Sequence, residues 1–130
     1  MKKQAGFTVV ELLVVLVLLM VGTWLFFSER SNVQSAVRDQ ERKIAINAMY
    51  YNLEEVYYEK NGFYPASIDS KTLRAMDPEL FTDPTGYKIS ESGSNYTYEG
   101  IDCNASNQCK KYRLSSSMEL EAEYVKTNRN

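Results

Sequence analysis

The chain has 130 residues, a net charge of −2 and no histidine. That length leaves room for one small folded domain beside a very apolar first quarter, and it excludes a multidomain enzyme. The absence of histidine removes every Ser-His, Cys-His and His-metal arrangement. From Glu29 onward, 13 basic and 16 acidic residues are mixed, with no basic block of the kind that marks a nucleic-acid footprint.

The first element is apolar. From Phe7 to Phe27 only Thr8, Glu11, Gly22 and Thr23 interrupt it, and 21 residues suffice to cross a bilayer as a helix. Lys2 and Lys3 precede the run, which predicts a cytoplasmic N-terminus and an exported C-terminal domain. A cleaved secretory signal would end in small residues of A-x-A type, and Met20-Val21-Gly22-Thr23-Trp24 fits that poorly. A plain uncleaved anchor explains the length and the lysines but gives no reason for Glu11. A carboxylate near the start of a span costs on the order of 2 kcal/mol, so it needs a partner or a purpose.

Gly6-Phe7-Thr8-Val9-Val10-Glu11-Leu12-Leu13-Val14-Val15 closely resembles the class III signal of type IV pilins and type II secretion pseudopilins, commonly G-F-T-L-[IV]-E-L-[LM]-V-V. The resemblance joins a short basic leader, a Gly-Phe junction and a glutamate five residues into the processed chain. It implies that a prepilin peptidase removes residues 1–6 by cutting between Gly6 and Phe7, and that Phe7 is then N-methylated. It further implies that Glu11 meets the Phe7 ammonium of a neighbouring subunit in the core of a filament. Before cleavage the Phe7 nitrogen is a neutral amide, so the charged partner exists only after processing. A simpler reading of Glu11 is stabilisation of a helix N-terminus through the macrodipole, under about 1 kcal/mol.

Ser28 to Glu59 continues without Pro or Gly. Val33, Val37, Ile44 and Ala48, then Met49, Leu53 and Val56, form an apolar stripe that drifts as a 3.6-residue period would. One helix is expected from about Phe7 to Tyr58, near 80 Å long at 1.5 Å per residue. Its first half, 7–27, would lie in the membrane or filament core, and its second half, 28–60, would be amphipathic. The stretch Arg38-Asp39-Gln40-Glu41-Arg42-Lys43 carries both signs, the mark of a solvated face, with subunit contact as the alternative. Many pilins have a proline where this chain has Ser28, which puts the local melting of that helix in doubt here. The nearest helix breaker is Gly22.

Asn61-Gly62 is a helix stop, and Asn61-Gly62-Phe63-Tyr64-Pro65 is similar to the N-G-x-Y-P that follows the long helix in many small pilins and major pseudopilins. A short helix is expected over 70–76, capped by Asp69 or Ser70 and ended by Asp77-Pro78. Asp83-Pro84-Thr85-Gly86 reads as a turn, and family members often carry D-P-x-G there. Strands follow. Tyr96 and Tyr98 share a face of one over 94–101, while Tyr112, Leu114, Met118, Leu120, Ala122 and Tyr124 alternate with only Ser116 interrupting.

Glu119, Glu121 and Glu123 would point to solvent on that alternation and lack the geometry of a calcium site. Asp102, Asn104 and Asn107 are better placed, since pseudopilins can bind calcium in a loop, but their spacing is not diagnostic. The only cysteines, Cys103 and Cys109, sit between the strand patterns. In an exported domain that spacing points to a disulfide across a hairpin rather than to a metal or C-x-x-C redox pair. Asn95-Tyr96-Thr97 and Asn104-Ala105-Ser106 match glycosylation sequons, a pattern short enough to arise by chance.

The expected architecture is α+β: a long N-terminal helix packed on two or three antiparallel strands, the lollipop of a pilin, with residues 61–130 forming the globular region. The resemblance implies a structural filament subunit with no catalytic residue and no cofactor. Its partners would be copies of itself or other pilins, the prepilin peptidase and methylase, and an inner-membrane assembly platform. It would sit in the cytoplasmic membrane before assembly and on the cell surface afterwards, serving adhesion or motility. A pseudopilin working as a short periplasmic piston and a monomeric membrane-anchored binding or sensor domain are the competing readings.

Overall fold

A computed structural model describes residues 6–129; Lys2 and Lys3, with the rest of the leader before Gly6, lie outside the described residues. The chain divides into two compact units, one ending at Gln34 and one starting at Ser35. Helix α1, Val9–Asn52, passes through Gly22 and Ser28 without a break. It continues as a π-helical turn, Leu53–Tyr58, and one last α turn, Glu59–Asn61. Gly62 stops it in the left-handed conformation at φ 75°, where its N–H donates to the Tyr58 carbonyl at 2.7 Å.

Four antiparallel strands follow: β1 Tyr64–Pro65, β2 Tyr96–Cys103, β3 Gln108–Ser116 and β4 Tyr124–Thr127. β3 is central. One edge pairs along β2, with Tyr98 opposite Leu114, and the other carries β1 at Cys109 and β4 from Arg113 to Ser116. The sheet buries Tyr96, Tyr112 and Leu114 against Ala45, Ile46, Met49 and Leu53 of the helix. Burying apolar side chains of this size stabilises by roughly 1.5–3 kcal/mol each, before the entropy of ordering them is subtracted.

The helix face differs from the one read from periodicity. Val33, Val37, Ile44 and Val56 are exposed, and the buried line runs Asp39, Arg42, Ala45, Ile46, Met49, Leu53. The cause is an ionic core. The Arg42 side chain, 1% exposed, donates from Nη1 to Asp39 Oδ1 and to Glu119 Oε1, both at 2.9 Å, and its Nε lies 3.6 Å from Asp83 Oδ2. Asp39 also accepts the backbone N–H groups of Glu119 and Leu120 at 2.9 Å. The 38–43 stretch is therefore solvated only at Gln40 and Glu41: Asp39 and Arg42 are buried, Arg38 grips Glu119 and Lys43 grips Glu121.

Those same contacts overturn the long alternating strand. β3 ends at Ser116, and the segment before β4 is irregular, because the backbone of Glu119 and Leu120 turns to donate to Asp39 instead of to a neighbouring strand. Leu120 and Ala122 are consequently exposed. The expected helix over 70–76 is a series of turns. Asp69 does supply the cap, its Oδ1 accepting the Lys71 and Thr72 N–H groups at 2.9 and 2.7 Å, but no helical ladder follows. A 3-10 turn forms at Pro78–Phe81 instead, capped by Asp77. The turn at Asp83-Pro84-Thr85-Gly86 is present, closed by Gly86 N–H on the Asp83 carbonyl at 2.8 Å.

Electrostatics make this core sensitive to acid. Burial pushes the Asp39 and Asp83 carboxyls up, but it is outweighed and both are held below the usual carboxylate range: hydrogen bonds from Glu119 N–H, Leu120 N–H and Arg42 act on Asp39, and hydrogen bonds from Thr85 and Asn95 together with the Arg42 charge act on Asp83. Arg38 above all holds Glu119 low. Depressed folded values stabilise above the unfolded pKa and are lost as pH falls through the folded ones, so the melting temperature should drop as pH falls below about 4. Thermal unfolding of the full chain in detergent, followed by circular dichroism at pH 6, 4 and 3, measures this; Asp39→Asn should show a shallower fall. Arg42→Ala leaves buried carboxylates without their cation and should cost about 3–5 kcal/mol at pH 6.

Candidate processing and assembly site

Gly6, Phe7 and Glu11 lie at the start of α1, and every residue from Gly6 to Gln34 is exposed. The helix is apolar around its whole circumference between Val9 and Phe27 apart from its few polar positions, which is the pattern of a span or of a buried filament core rather than of a surface helix. Its length and hydropathy suffice to cross a membrane.

Among the described residues Glu11 is bound only locally. Thr8 N–H and Thr8 Oγ1 donate to Glu11 Oε2 at 3.4 and 3.5 Å, and Glu11 N–H donates back to Thr8 Oγ1 at 3.3 Å. With α1 starting at Val9, Thr8 is the N-cap and Glu11 the third helical residue, a reciprocal capping box. The T-x-x-E spacing was visible in the chain and was missed in favour of the charge alone. The bonds are long and solvent-facing, so they hold the carboxylate weakly and leave it able to take a stronger, charged donor.

A methyl group at Gly6 would meet nothing within 4 Å among the described residues.

At the other end of the chain, Cys103 and Cys109 are joined by a disulfide that closes the β2–β3 hairpin. Within its loop, Asn104 Oδ1 accepts the Ser106 and Gln108 N–H groups at 2.9 and 3.0 Å, and Asp102 and Asn107 take positive φ. These residues are thus turn chemistry. Of the two sequons, Asn95 is committed inward, donating to Asp83 Oδ2 at 2.6 Å, while Asn104 is exposed. Gly100, not singled out in the sequence, lies under the bridge: a methyl group there would stand 2.6 Å from Cys109 Sγ and 3.2 Å from the Ala66 Cα.

Residues 1–27 match the prokaryotic N-terminal methylation motif, characteristic of type IV pilins and pseudopilins. No curated protein and no solved structure matches the chain. The motif supports a type IV pilin or pseudopilin family member, a family of structural subunits, and with the apolar helix it fits membrane anchoring before assembly.

Replacing Gly100 by Ala forces a backbone–sulfur clash and should destabilise by about 1–3 kcal/mol, whereas Glu99→Ala on the exposed face should stay within about 0.5 kcal/mol. Replacing both cysteines by Ser should cost about 2 kcal/mol through the freed loop and leave the fold intact. Thermal melts of the full chain, with thiol titration of the unreduced wild type finding no free thiol, check both.

Proposed function

We propose that this protein is a structural subunit of a type IV pilus-like filament, polymerising through its apolar N-terminal helix and serving surface adhesion or motility. The observation that carries the reading is a glutamate held, among the described residues, only by its own capping threonine, inside an otherwise apolar helical segment that begins two residues after Phe7 of the Gly6-Phe7 junction. Prepilin peptidase cuts between Gly6 and Phe7 and the leader is lost. Phe7 then bears a secondary ammonium that keeps its charge on methylation. In a dry helical core that ammonium and the Glu11 carboxylate of an adjacent subunit attract far more strongly than in water, and either one alone would be costly, so the pair sets axial register as well as adhesion between helices. Residues 7–27 form the core segment and residues 28–60 the amphipathic half that carries the globular region, 61–130.

Two substitutions test successive steps. Gly6→Leu should leave an uncut, membrane-bound precursor; normal maturation would remove the cleavage assignment. Glu11→Ala and Glu11→Gln should both insert and be cleaved, because Gly6-Phe7 is intact and the span is more apolar, yet both should lose most of their fibre yield, since breaking a buried pair costs about 3–5 kcal/mol. The readout is processed subunit in sheared fibres relative to membranes, with Phe7 methylation verified by mass spectrometry. Wild-type fibre yield from both processed variants would sink the pairing. Subunits that are cut but stay within the envelope would instead favour a pseudopilin of a secretion system.

A further inference from the structure

Half of the cations in the unit that starts at Ser35 are spoken for. Arg38, Arg42, Lys43, Arg113 and Arg129 each pair with a carboxylate, and Lys126 lies over the Tyr50 and Tyr124 rings. Lys60, Lys71, Arg74, Lys88, Lys110 and Lys111 form no ion pair among the described residues, and the first three line one cleft of about 490 Å³ together with Tyr57, Asn61 and Thr72. No carboxylate lines it. In a region where acidic residues outnumber basic ones, three cations around one cavity, with Asp69 beside Lys71 as the nearby acid, leave it net positive.

The cleft is also built to receive one. Arg74 Nε donates to the Lys71 carbonyl at 3.1 Å, which fixes the guanidinium and leaves its terminal nitrogens without a hydrogen bond among the described residues. The turn that carries Lys71 is pinned by Asp69, whose Oδ1 accepts Lys71 N–H at 2.9 Å and both the N–H and Oγ1 of Thr72 at 2.7 Å. Asp69, the nearby acid, thus has one oxygen engaged in the turn. Carbonyls at the end of a helix oppose an anion, and two of them are covered here, that of Tyr57 by Asn61 Nδ2 at 2.8 Å and that of Tyr58 by Gly62 N–H at 2.7 Å.

We propose that this cleft binds a phosphate monoester of about single-sugar size. A guanidinium and two ammonium groups suit a doubly charged phosphate. The volume exceeds what the phosphate alone would fill and lies within the range of small-molecule sites. Asn61, whose Nδ2 is committed to Tyr57, offers its Oδ1 to a hydroxyl, and the half-buried Tyr57 ring supplies a wall for the sugar body. The site is independent of the N-terminal helix chemistry.

The test is a titration of the ¹⁵N-labelled full chain in lauryldimethylamine oxide micelles, a detergent with neither sugar nor phosphate, followed by amide chemical shifts. Glucose 6-phosphate should move the Asn61, Thr72, Arg74 and Ala75 resonances saturably, and glucose should not. Lys71→Gln with Arg74→Gln should weaken binding at least tenfold while leaving the dispersed spectrum of a folded chain, and Lys88→Gln, outside the cleft, should stay within twofold of wild type. No shift at the cleft, equal shifts with glucose, or unchanged affinity in the double variant would overturn the site. Inorganic phosphate binding as tightly as glucose 6-phosphate would overturn the sugar part of the assignment. A single-stranded oligonucleotide whose affinity grows with length would replace the small ligand by a polymer.

Discussion

The guanidinium of Arg42 is the point on which the globular unit turns. It is buried, and it faces carboxylates from three separate parts of the chain, two of which are irregular or a turn. Asp39 comes from the helix itself, Asp83 from the Asp-Pro-Thr-Gly turn, and Glu119 from the link between β3 and β4. A hydrophobic residue in place of Arg42 could fill the volume, and buried ion pairs often add little net stability over such a core. What an apolar side chain lacks is direction. The planar fork of Arg42 and the two oxygens of Asp39 accept only certain approaches, so the link between the strands is placed by hydrogen bonds rather than by packing.

A second buried carboxylate does the same for the far end of the helix. Glu54 accepts from the Tyr112 hydroxyl at 2.8 Å, the Tyr64 hydroxyl at 3.1 Å and the Arg129 N–H at 3.2 Å. Burial first, and then this carboxylate, pushes both tyrosines far above their ordinary range, so they remain donors at any physiological pH. Glu54 lies in the π-helical turn, where one extra residue per turn lets adjacent Leu53 and Glu54 both face inward. Tyr64 belongs to the Asn-Gly-Phe-Tyr-Pro run, which gives that short motif a physical content: glycine to end the helix, tyrosine to reach back to Glu54, and proline to lend its carbonyl to Tyr98 at 2.7 Å.

Why some of this was legible and some not follows from the range of the interactions. The long helix, its glycine stop, the Asp83 turn, the alternating tyrosines of β2 and the Asp69 cap depend on residues within a few positions of each other, and local pattern finds such features. The core face of the helix does not. Val33, Val37 and Ile44 have the right spacing and are exposed, while Asp39 and Arg42 have the wrong polarity and are buried, because their distant partners are 41 to 81 residues away. The π turn then displaces Val56 from the stripe it was expected to join. The strand pattern through Leu120 failed for the same reason, since alternation cannot report that Asp39 withdraws two backbone donors from the sheet. At the N-terminus the opposite happened: Thr8-Val9-Val10-Glu11 is a wholly local capping box, overlooked because the charge of Glu11 invited a distant explanation.

Those two readings of Glu11 are compatible in sequence of time. A capping box of long, exposed bonds is worth little, and its donors are a backbone amide and a hydroxyl, both neutral. In the proposed filament a competing donor carries a full charge and arrives in a medium without water, where a charge-assisted bond is roughly twice as strong as a neutral one. Thr8 would then hold the carboxylate at the helix end while the subunit waits as a monomer, and release it when the neighbouring ammonium docks. Before processing no ammonium exists at Phe7, so the exchange could not occur and the precursor would keep its glutamate on Thr8. The same short segment would in this way distinguish cut from uncut chains by the charge of a single nitrogen.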